Sequence, residues 1–296
     1  MRFLVTGVRG QLGYDVVKEL KKRGFNDILE YSSIDMDITN KKQVESCIFY
    51  SEPDAVIHCA AYTKVDQAEE EPQKALEVNI TGTENIANAC KRVGAKLIYI
   101  STDYVFDGEK KLNETYETTD ICKPINVYGK TKLGGEKAAL LNPKTFIVRT
   151  SWVFGNNGNN FVKTMLKLSE IKDKIDVISD QYGSPTYTPD LAKLLVDMSL
   201  TDKYGIYHAT NNGYCSWAEF SEKIFEIFNK KVQVNYITTD EYPTKATRPK
   251  NSKLSKNTLV ENGFNLLPDY EDALIRYKKE LKPKMKTYNF KIEKGL

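Results

Sequence analysis

The residues best suited to chemistry in this chain are Tyr128 and Lys132, four positions apart. On a predicted helix this spacing places the phenol and the ammonium on one face, where both can approach the same ligand. A free tyrosine has a pKa of about 10, too high for acid–base work at neutral pH, and a neighbouring cation lowers it. We expect Tyr128 to donate a proton to a developing alkoxide, while a hydroxyl of Ser101 or Thr102 holds the carbonyl oxygen.

The same tyrosine–lysine spacing occurs a second time, at Tyr14 and Lys18. Lysine is common in this chain, so the spacing alone is weak, and position must decide between the two pairs. Tyr14 lies on the first predicted helix, where aromatic packing is the simpler explanation. Tyr128 begins the helix after the long loop that follows the fourth predicted strand, and we expect it to face a crevice.

A glycine turn close to the N-terminus predicts a dinucleotide site. Gly7, Gly10 and Gly13 lie between an apolar strand at 3–6 and a helix predicted at 14–23. Glycines let the backbone turn tightly and approach a pyrophosphate, and the helix N-terminus directs N–H groups at it. The residues of this turn that we expect to contact the cofactor are Gly7, Arg9, Gly10, Gln11, Leu12 and Gly13.

The alternation of strands and helices predicts an α/β fold, a doubly wound parallel sheet of the Rossmann type with a smaller C-terminal α/β substrate lobe. The predicted strands are almost continuously apolar, which is typical of a parallel sheet covered on both faces. Early strands are predicted at 3–6, 27–31, 55–59, 97–101 and 145–149, with helices at 14–23, 41–51, 71–93 and 126–141. We predict a dinucleotide-binding domain of residues 1–151 plus about 188–210, and a substrate-binding lobe of about 152–187 plus 211–296.

Composition limits the possible classes. The 296 residues carry a net charge of +3 with basic and acidic residues interspersed, which does not suggest a nucleic-acid or membrane surface. Five cysteines without a CxxC pair and two histidines argue against a disulfide framework and a zinc site. Without a signal peptide or a long apolar run, we expect a cytoplasmic protein, a monomer or a homodimer.

Two pairs of acidic residues are candidate carboxylate sites. Asp35 and Asp37 follow the second predicted strand, and we interpret them as solvated loop acids, because nearby histidines are lacking. Asp15 and Asp190 are expected to be exposed. They could join an oligomer contact or bind a divalent cation, but the sequence requires neither, and we predict no metal site.

Several longer segments resemble the extended short-chain dehydrogenase/reductases and, within them, the dTDP-4-dehydrorhamnose reductase family. The resemblance extends in order from about residue 3 to about residue 275. The alanine-alanine-tyrosine-threonine stretch within 59–66 and the aspartate-glutamine stretch at 180–186 are far more specific than the glycines. The matching segments are 10–13, 59–66, 101–108, 128–132, 149–152, 180–186 and 248–252.

The resemblance implies that NAD(P)H gives a hydride to C4 of dTDP-6-deoxy-L-lyxo-4-hexulose, which forms dTDP-L-rhamnose in the last step of its synthesis, a step of polysaccharide biosynthesis. It implies that Tyr128 donates the proton, Thr102 holds the C4 oxygen, and Lys132 lowers the tyrosine pKa and binds the nicotinamide ribose. Further implied cofactor residues are Asp37 and Ile38 beside the adenine, Ala60, Ala61, Tyr62, Ser101, Tyr128 and Lys132. Implied substrate residues are Val65, Asp103, Tyr104, Trp152 and Arg248, whose planar fork suits the diphosphate.

One position argues against a related reaction. Sugar-nucleotide 4,6-dehydratases carry Thr-Asp-Glu where this chain has Thr102, Asp103 and Tyr104. The glutamate of those enzymes acts as the base on the sugar C5 proton. A phenol cannot replace it without a large pKa shift, so simple reduction is favoured over elimination. Sugar 4-epimerases keep the tyrosine and lysine but usually lack the Thr-Asp-Tyr sequence.

Cofactor choice and the exact substrate stay open on the sequence. The second predicted strand ends in Glu30, Tyr31, Ser32 and Ser33, without a clear acid at its tip to bind a ribose 2′-hydroxyl. Arg9 could meet a 2′-phosphate, which favours NADPH without excluding NADH. Alternatives are a reductase of another dTDP-4-keto-6-deoxysugar and a non-catalytic subunit resembling the regulatory subunit of methionine adenosyltransferase. The retained catalytic set favours an enzyme.

Overall fold

The computed structural model describes residues 1–292, and the side chains of residues 1–281. Its strands are β1 Phe3–Thr6, β2 Ile28–Tyr31, β3 Ala55–His58, β4 Lys96–Thr102, β5 Thr145–Thr150, β6 Val153–Phe154, β7 Lys174–Ile178, β8 Tyr182–Gly183, β9 Thr186–Tyr187, β10 Gly205–His208, β11 Cys215–Ser216 and β12 Gln233–Ile237. Its α-helices are α1 Gln11–Lys22, α2 Lys41–Ser51, α3 Val65–Glu70, α4 Pro72–Leu76, α5 Gly82–Val93, α6 Val127–Ala139, α7 Phe161–Leu168, α8 Thr188–Ser199, α9 Trp217–Phe228, α10 Asn257–Glu261 and α11 Tyr270–Ile292.

The main sheet has six strands in the order β10-β5-β4-β3-β1-β2, and every neighbouring pair is parallel. Strands β1, β3 and β5 are buried along their whole length. Their unbroken apolar runs are explained by helices on both faces, which leave no side for polar residues. The predicted doubly wound α/β fold is confirmed.

Each face of the sheet carries its own apolar core. On one face Val5 and Phe146 of the sheet pack with Val16 of α1 and Leu195 of α8. On the other, Leu4, Val56 and Leu97 pack with residues of α2 and α5, including Val44 and Ile86. Because both cores hold β1, β3 and β4 rigidly, the loops that follow these strands are presented at one edge.

The smaller lobe is built from residues after β5 and from the C-terminal part of the chain. Three short strand pairs, β6 with β9, β7 with β12 and β8 with β11, lie beside α7, α9 and α11. Their core is aromatic, with Phe154, Tyr187, Phe220 and Tyr277 all buried. Strand β10, which lies between parts of this lobe in the sequence, belongs to the main sheet and pairs with β5.

The helix predicted over 71–93 is divided. Helix α4 ends at Leu76, a π-helical turn covers Glu77–Thr81, and α5 follows. Within that turn Asn79 is buried and bonds both backbone groups of Tyr62, accepting from its N–H (2.8 Å) and donating to its carbonyl (3.1 Å). A π-helical turn contains one residue more than an α-helical turn and so changes which side chains are buried. The regular spacing of apolar residues does not predict such a turn.

The expectation that Asp15 and Asp190 are exposed is wrong. Asp15 is 2% exposed and accepts a hydrogen bond from the hydroxyl of Thr188, because α1 and α8 pack directly together. The carboxylate of Asp190 accepts a hydrogen bond of 2.7 Å from each of the two terminal nitrogens of Arg276. These acids join elements within the chain. No helix among the described residues has the length and apolar character needed to cross a bilayer.

Candidate active site

A cleft of about 860 Å³ lies along the carboxyl ends of β1, β3, β4 and β5. Ligands of doubly wound folds bind at this edge, because the loops after the strands converge there. Most of the predicted site residues line it: Gly7, Arg9, Gly10, Gln11, Leu12, Gly13, Asp37, Ile38, Ala60, Ala61, Val65, Ser101, Thr102, Asp103, Tyr104, Tyr128, Lys132 and Trp152. Tyr62 and Arg248 are absent from this lining.

The glycine turn at one end of the cleft has the shape of a dinucleotide cradle. Gly7 has a φ of +69°, and a Cβ on it would lie 2.8 Å from the backbone nitrogen of Ala60. A Cβ on Gly13 would lie 2.4 Å from the carbonyl oxygen of Gly7. Gly10 caps α1 without a side-chain hydrogen bond, so N–H groups of the first helical turn are open to an anion. The turn therefore fits a pyrophosphate.

The end of β2 next to the turn carries two serines, and the first acid after them is Asp35. Ser32 and Ser33 line the cleft there together with Arg9. Asp35 is exposed and accepts hydrogen bonds from the backbone and the hydroxyl of Ser32, as a turn acid does. Arg9 lowers the pKa of Asp35, after the larger effect of the Ser32 hydrogen bonds. This set of groups is suited to a phosphorylated ribose.

A loop of the smaller lobe reaches the glycine turn, which the sequence did not predict. The side-chain amide of Asn157 donates to the carbonyl oxygens of Arg9 (2.8 Å) and Gly10 (3.1 Å). Asn160 donates to the side-chain oxygen of Gln11 at 3.0 Å. The many amide side chains of segment 156–160 are the available signal in the sequence. Pairing with residues about 150 positions earlier depends on tertiary structure.

Strand β4 ends in a tight turn that carries Thr102 and Asp103. The hydroxyl of Thr102 accepts from the backbone N–H of Tyr104 (3.2 Å) and donates to Oδ1 of Asp103 (2.9 Å). Thr102 and Asp103 are 5% and 3% exposed. Burial raises the pKa of the Asp103 carboxyl to about 6, while the hydroxyls of Ser252 and Thr102 act to lower it.

Helix α6 places Tyr128 beside this turn. The side chain of Asn126 caps the helix by accepting from the N–H of Gly129 at 2.7 Å. A Cβ on Gly129 would lie 2.1 Å from the carbonyl oxygen of Tyr104, so glycine lets the helix start press against the turn. The Tyr128 ring meets the Tyr104 ring edge-on, with centroids 5.7 Å apart. The predicted proton donor thus lies on the cleft wall.

The expected acidification of Tyr128 by Lys132 is not what the structure shows. Burial raises the pKa of the Tyr128 phenol, Asp103 raises it further, and a hydrogen bond with Thr102 opposes the shift. The ammonium of Lys132 instead donates to the carbonyl of Ile100 at 2.7 Å and lies 4.2 Å from the Tyr99 ring centroid. A raised pKa keeps the phenol protonated at neutral pH, which a proton donor requires.

Lys132 is itself strongly affected by its position. It is 2% exposed, and burial lowers its pKa to about 7, with Glu136 acting in the opposite direction. Glu136 is one turn further along α6, on the same face. A lysine in this range carries its charge only conditionally, so its neighbours decide its protonation.

Ser101 does not present its hydroxyl as expected. Its Oγ donates to the buried carboxylate of Glu136, which also receives two hydrogen bonds of 2.8 Å from Arg149. Because strand side chains alternate, Ser101 and Thr102 point to opposite faces, and only one of the two hydroxyls can serve a ligand at the strand end. The structure favours Thr102 for the carbonyl oxygen.

The two residues absent from the cleft lining are held elsewhere. The Tyr62 hydroxyl donates to Glu71 at 2.9 Å. Arg248 donates to both carboxylate oxygens of Asp66, at 3.1 and 2.6 Å. Glu71 lies nine residues after Tyr62, and Asp66 lies 182 residues before Arg248. The spacing of residues along the sequence predicts neither contact.

One wall of the cleft is aromatic. Trp152 has a φ of +47° and stacks on Trp217 with centroids 3.5 Å apart and planes 10° apart. Phe161 and Phe220 complete this wall. Trp217 starts α9 behind a Ser216 capping box and was not predicted as a site residue. Flat aromatic faces suit the apolar faces of sugars and bases.

Comparison with known proteins gives a consistent result. A family model described as the RmlD substrate binding domain matches residues 1–282. The chain is 44% identical over 287 residues to a dTDP-4-dehydrorhamnose reductase of Aggregatibacter actinomycetemcomitans, covering 92% of this chain and 97% of that one. It is 40% identical over 280 residues to the spore coat polysaccharide biosynthesis protein SpsK of Bacillus subtilis, covering 94% and 97%.

A solved structure is similarly close. The dTDP-4-dehydrorhamnose reductase of Bacillus anthracis in complex with NADP superimposes with a TM-score of 0.91. The two chains are 45% identical, and the match covers 94% of this chain and 99% of that one. The similarity therefore includes both the sheet and the smaller lobe.

Proposed function

The chain belongs to the RmlD substrate binding domain family, and we propose that its Thr102, Tyr128 and Lys132 carry out the reduction that this family performs. The chain is an oxidoreductase of dTDP-L-rhamnose biosynthesis. It reduces the C4 ketone of dTDP-6-deoxy-L-lyxo-4-hexulose to dTDP-L-rhamnose with NADPH. The similarity to SpsK supports a place in polysaccharide biosynthesis.

The observation that carries the residue assignment is the shared cleft wall. Thr102, Tyr128 and Lys132 come from a strand end and a helix, yet all three line the cleft that begins at the glycine turn. NADPH supplies the hydride. The cradle of Gly7, Gly10 and the start of α1 holds the pyrophosphate, and Arg9 with Ser32 and Ser33 serves the 2′-phosphate.

The protein's own groups then handle the oxygen of the ketone. Tyr128, whose raised pKa keeps its proton in place, donates that proton to the oxygen as negative charge develops. Thr102 supports the same oxygen by a hydrogen bond. A charged Lys132 stabilises the phenolate that results, and Glu136 helps it to stay charged in its buried position.

The substrate end of the site is assigned on the same basis. Val65, Asp103, Tyr104 and Trp152 line the part of the cleft next to Tyr128, and we assign them to the sugar. Arg248 remains our assignment for the diphosphate. In the structure the Arg248 guanidinium is paired with the carboxylate of Asp66. To bind the diphosphate, it must leave this carboxylate for a phosphate, which is also an anion.

The decisive experiment supplies the purified protein with the product of the dehydratase and 3,5-epimerase that precede it. Nicotinamide absorbance is followed with NADPH and with NADH, and the sugar product is identified by NMR. We expect faster oxidation of NADPH and dTDP-L-rhamnose as product. Formation of the C4 epimer, dTDP-6-deoxy-L-talose, would identify the alternative reductase, and no oxidation of either cofactor would favour a non-catalytic binding role.

Three further assignments belong to the proposal. The domain division at 1–151 plus 188–210 is supported by the pairing of β10 with β5. A cytoplasmic location is supported by five cysteines without a CxxC pair. We propose a monomer or homodimer that does not bind nucleic acid, and light scattering of the purified protein would measure the oligomeric state.

A further inference from the structure

The hydroxyl of Thr102 has little freedom in this structure. A threonine hydroxyl has one hydrogen to donate and two lone pairs to accept with. The hydrogen goes to Oδ1 of Asp103 at 2.9 Å, and one lone pair accepts from the N–H of Tyr104 at 3.2 Å. One lone pair is left, and the phenol of Tyr128, which also has a hydrogen bond with Thr102, competes with a ligand for it. In this state Thr102 cannot donate to a carbonyl oxygen, although that is the role that the reduction gives it.

The protonation of Asp103 decides whether this hydrogen is released. A carboxylate only accepts hydrogen bonds, whereas a neutral carboxylic acid also donates one. A neutral Asp103 can therefore donate to Thr102 Oγ1, which then accepts from Asp103 and from Tyr104. Both lone pairs are filled, and the hydroxyl hydrogen is free to turn into the cleft.

The surroundings of Asp103 suit a neutral acid. The residue is 3% exposed, and its Oδ2 is buried without a hydrogen-bond partner among the described residues. Such an unpaired oxygen is costly on a carboxylate and tolerable on an acid. The same burial that raises the pKa of this carboxyl acts more strongly when a bound substrate covers the cleft.

The groups around Asp103 do not supply a direct counter-charge. The phenols of Tyr104 and Tyr128 face it from the same turn and from α6, and both have pKa values raised by its charge. Ser252 approaches from the C-terminal segment as a neutral hydroxyl, whose hydrogen bond favours the carboxylate but brings no positive charge. The Arg248 guanidinium acts to lower the pKa of Tyr104, but it is paired with Asp66. A diphosphate entering the cleft adds negative charge and further favours the acid.

We propose that Asp103 is a positioning residue that acts through Thr102. As a neutral acid it turns the Thr102 hydrogen toward the substrate carbonyl oxygen, and as a carboxylate it draws that hydrogen away. The inference rests on the proposed function and deepens it. Asp103 gives up no proton in the cycle, because the proton that reaches the product comes from Tyr128.

The test is the pH dependence of kcat in five proteins: wild type, Asp103→Asn, Thr102→Ser, Thr102→Val and the double variant Thr102→Val/Asp103→Asn. In wild type we expect kcat to fall by about 10²-fold as Asp103 ionises, the cost of one lost donor to a developing oxyanion. Thr102→Ser keeps the hydroxyl and should keep this fall. Asp103→Asn should lose it, because an amide does not titrate and its NH₂ can donate to Thr102.

The Thr102→Val background separates positioning from packing. Without a hydroxyl at position 102, the fall should be absent, and the effect of Asp103→Asn on kcat should no longer depend on pH. In the Thr102 background the same substitution should raise kcat by up to about 10²-fold at high pH, because the ionised Asp103 of wild type then draws the hydroxyl hydrogen away from the substrate. Melting temperature and NADPH affinity, measured for each variant, show that the fold is retained.

Two outcomes would overturn the inference. One is a wild-type fall in kcat that persists in Asp103→Asn, which would assign it to another group. The other is an equal, pH-dependent effect of Asp103→Asn on kcat with threonine or valine at position 102, which would show that ionisation of the carboxyl acts on turnover without Thr102. Absence of turnover in wild type would instead contradict the proposed function itself, so the two failures are distinguishable.

Discussion

Asn157 donates two hydrogen bonds from its side-chain amide to the glycine turn, the shorter (2.8 Å) to the carbonyl of Arg9 and the longer (3.1 Å) to that of Gly10. The loop that carries Asn157 belongs to the smaller lobe, and the turn belongs to the sheet. Gly158, its neighbour, lines the cleft. The smaller lobe is thus bonded directly to the glycine turn, which we propose as the cofactor cradle.

Removing this contact should weaken cofactor binding. We expect Asn157→Ala to raise the Kd for NADPH about tenfold, since two hydrogen bonds to the turn are lost at about 1 kcal/mol each and water replaces part of them. Fluorescence titration of the reduced nicotinamide measures the change. Asn113→Ala, at an exposed position outside the cleft lining, is the control and should leave Kd unchanged. Equal Kd values for the two variants would show that the loop does not support the turn.

Tyr128→Phe should separate chemistry from binding. The phenol is the proposed proton donor, so its loss should lower kcat by about 10²-fold or more while the Kd for NADPH stays nearly the same. Steady-state kinetics and cofactor titration measure the two quantities. Tyr14→Phe is a matched control, because Tyr14 has the same spacing to a lysine but is 45% exposed on α1. Retention of full turnover in Tyr128→Phe would remove this tyrosine as the acid.

Arg248 offers a test of the diphosphate assignment. Arg248→Ala should raise KM for the sugar nucleotide at least tenfold with a smaller effect on kcat, because a phosphate contact is lost in substrate and transition state alike. Asp66→Asn keeps Arg248 but removes the charge that holds it, and KM should rise much less. If both variants raised KM equally, the pair would act by fastening the 246–248 segment to α3.

Acid should destabilise the fold through its two histidines. His58 and His208 are buried, and burial lowers the pKa of each to about 3. As pH falls below about 6.5 the unfolded chain gains these protons and the folded chain does not, so each histidine removes about 2 kcal/mol of stability between pH 7 and pH 5. Asp103, with its raised pKa of about 6, binds its proton in the folded state first and offsets about 1 kcal/mol.

Urea unfolding at pH 7 and pH 5 measures this difference. We expect a net loss of about 3 kcal/mol in wild type. In His208→Gln the loss should shrink by about 2 kcal/mol, since glutamine does not titrate and its amide can still donate to the carbonyl of Ser255, which His208 contacts at 3.1 Å. A loss of the same size in both proteins would contradict the assignment to this histidine.

The sheet was predictable because its signals are local. The apolar runs at 3–6 and 145–149 and the glycines of the turn each report on their own immediate neighbourhood, and β1 and β5 begin where the sequence places them. The predicted helix bounds were wrong where a side chain bonds a residue outside its own helix. The π turn places the side chain of Asn79 where it bonds the backbone of Tyr62, and the periodicity of the segment does not predict it.

The candidate site divides in the same way. Tyr128 and Lys132 were predicted from residue type and position, and Thr102 from the family resemblance, and the structure brings all three to one cleft. The electrostatics were not predictable. The sequence suggested that Lys132 lowers the Tyr128 pKa, but desolvation, which depends on what covers a group, raises it. Spacing along a helix gives proximity without giving the environment.

By itself the sequence determined the fold class, the glycine cradle and the catalytic residue types, because strand and helix periodicity and turn chemistry are properties of neighbouring residues. Only the tertiary structure decided that Glu136 binds the Ser101 hydroxyl, which acids hold Tyr62 and Arg248, and how Asp103 engages Thr102. Those outcomes depend on burial and on hydrogen-bond partners from separate elements, such as Asp66 and Arg248, 182 residues apart. Such partners become neighbours only when the chain has folded.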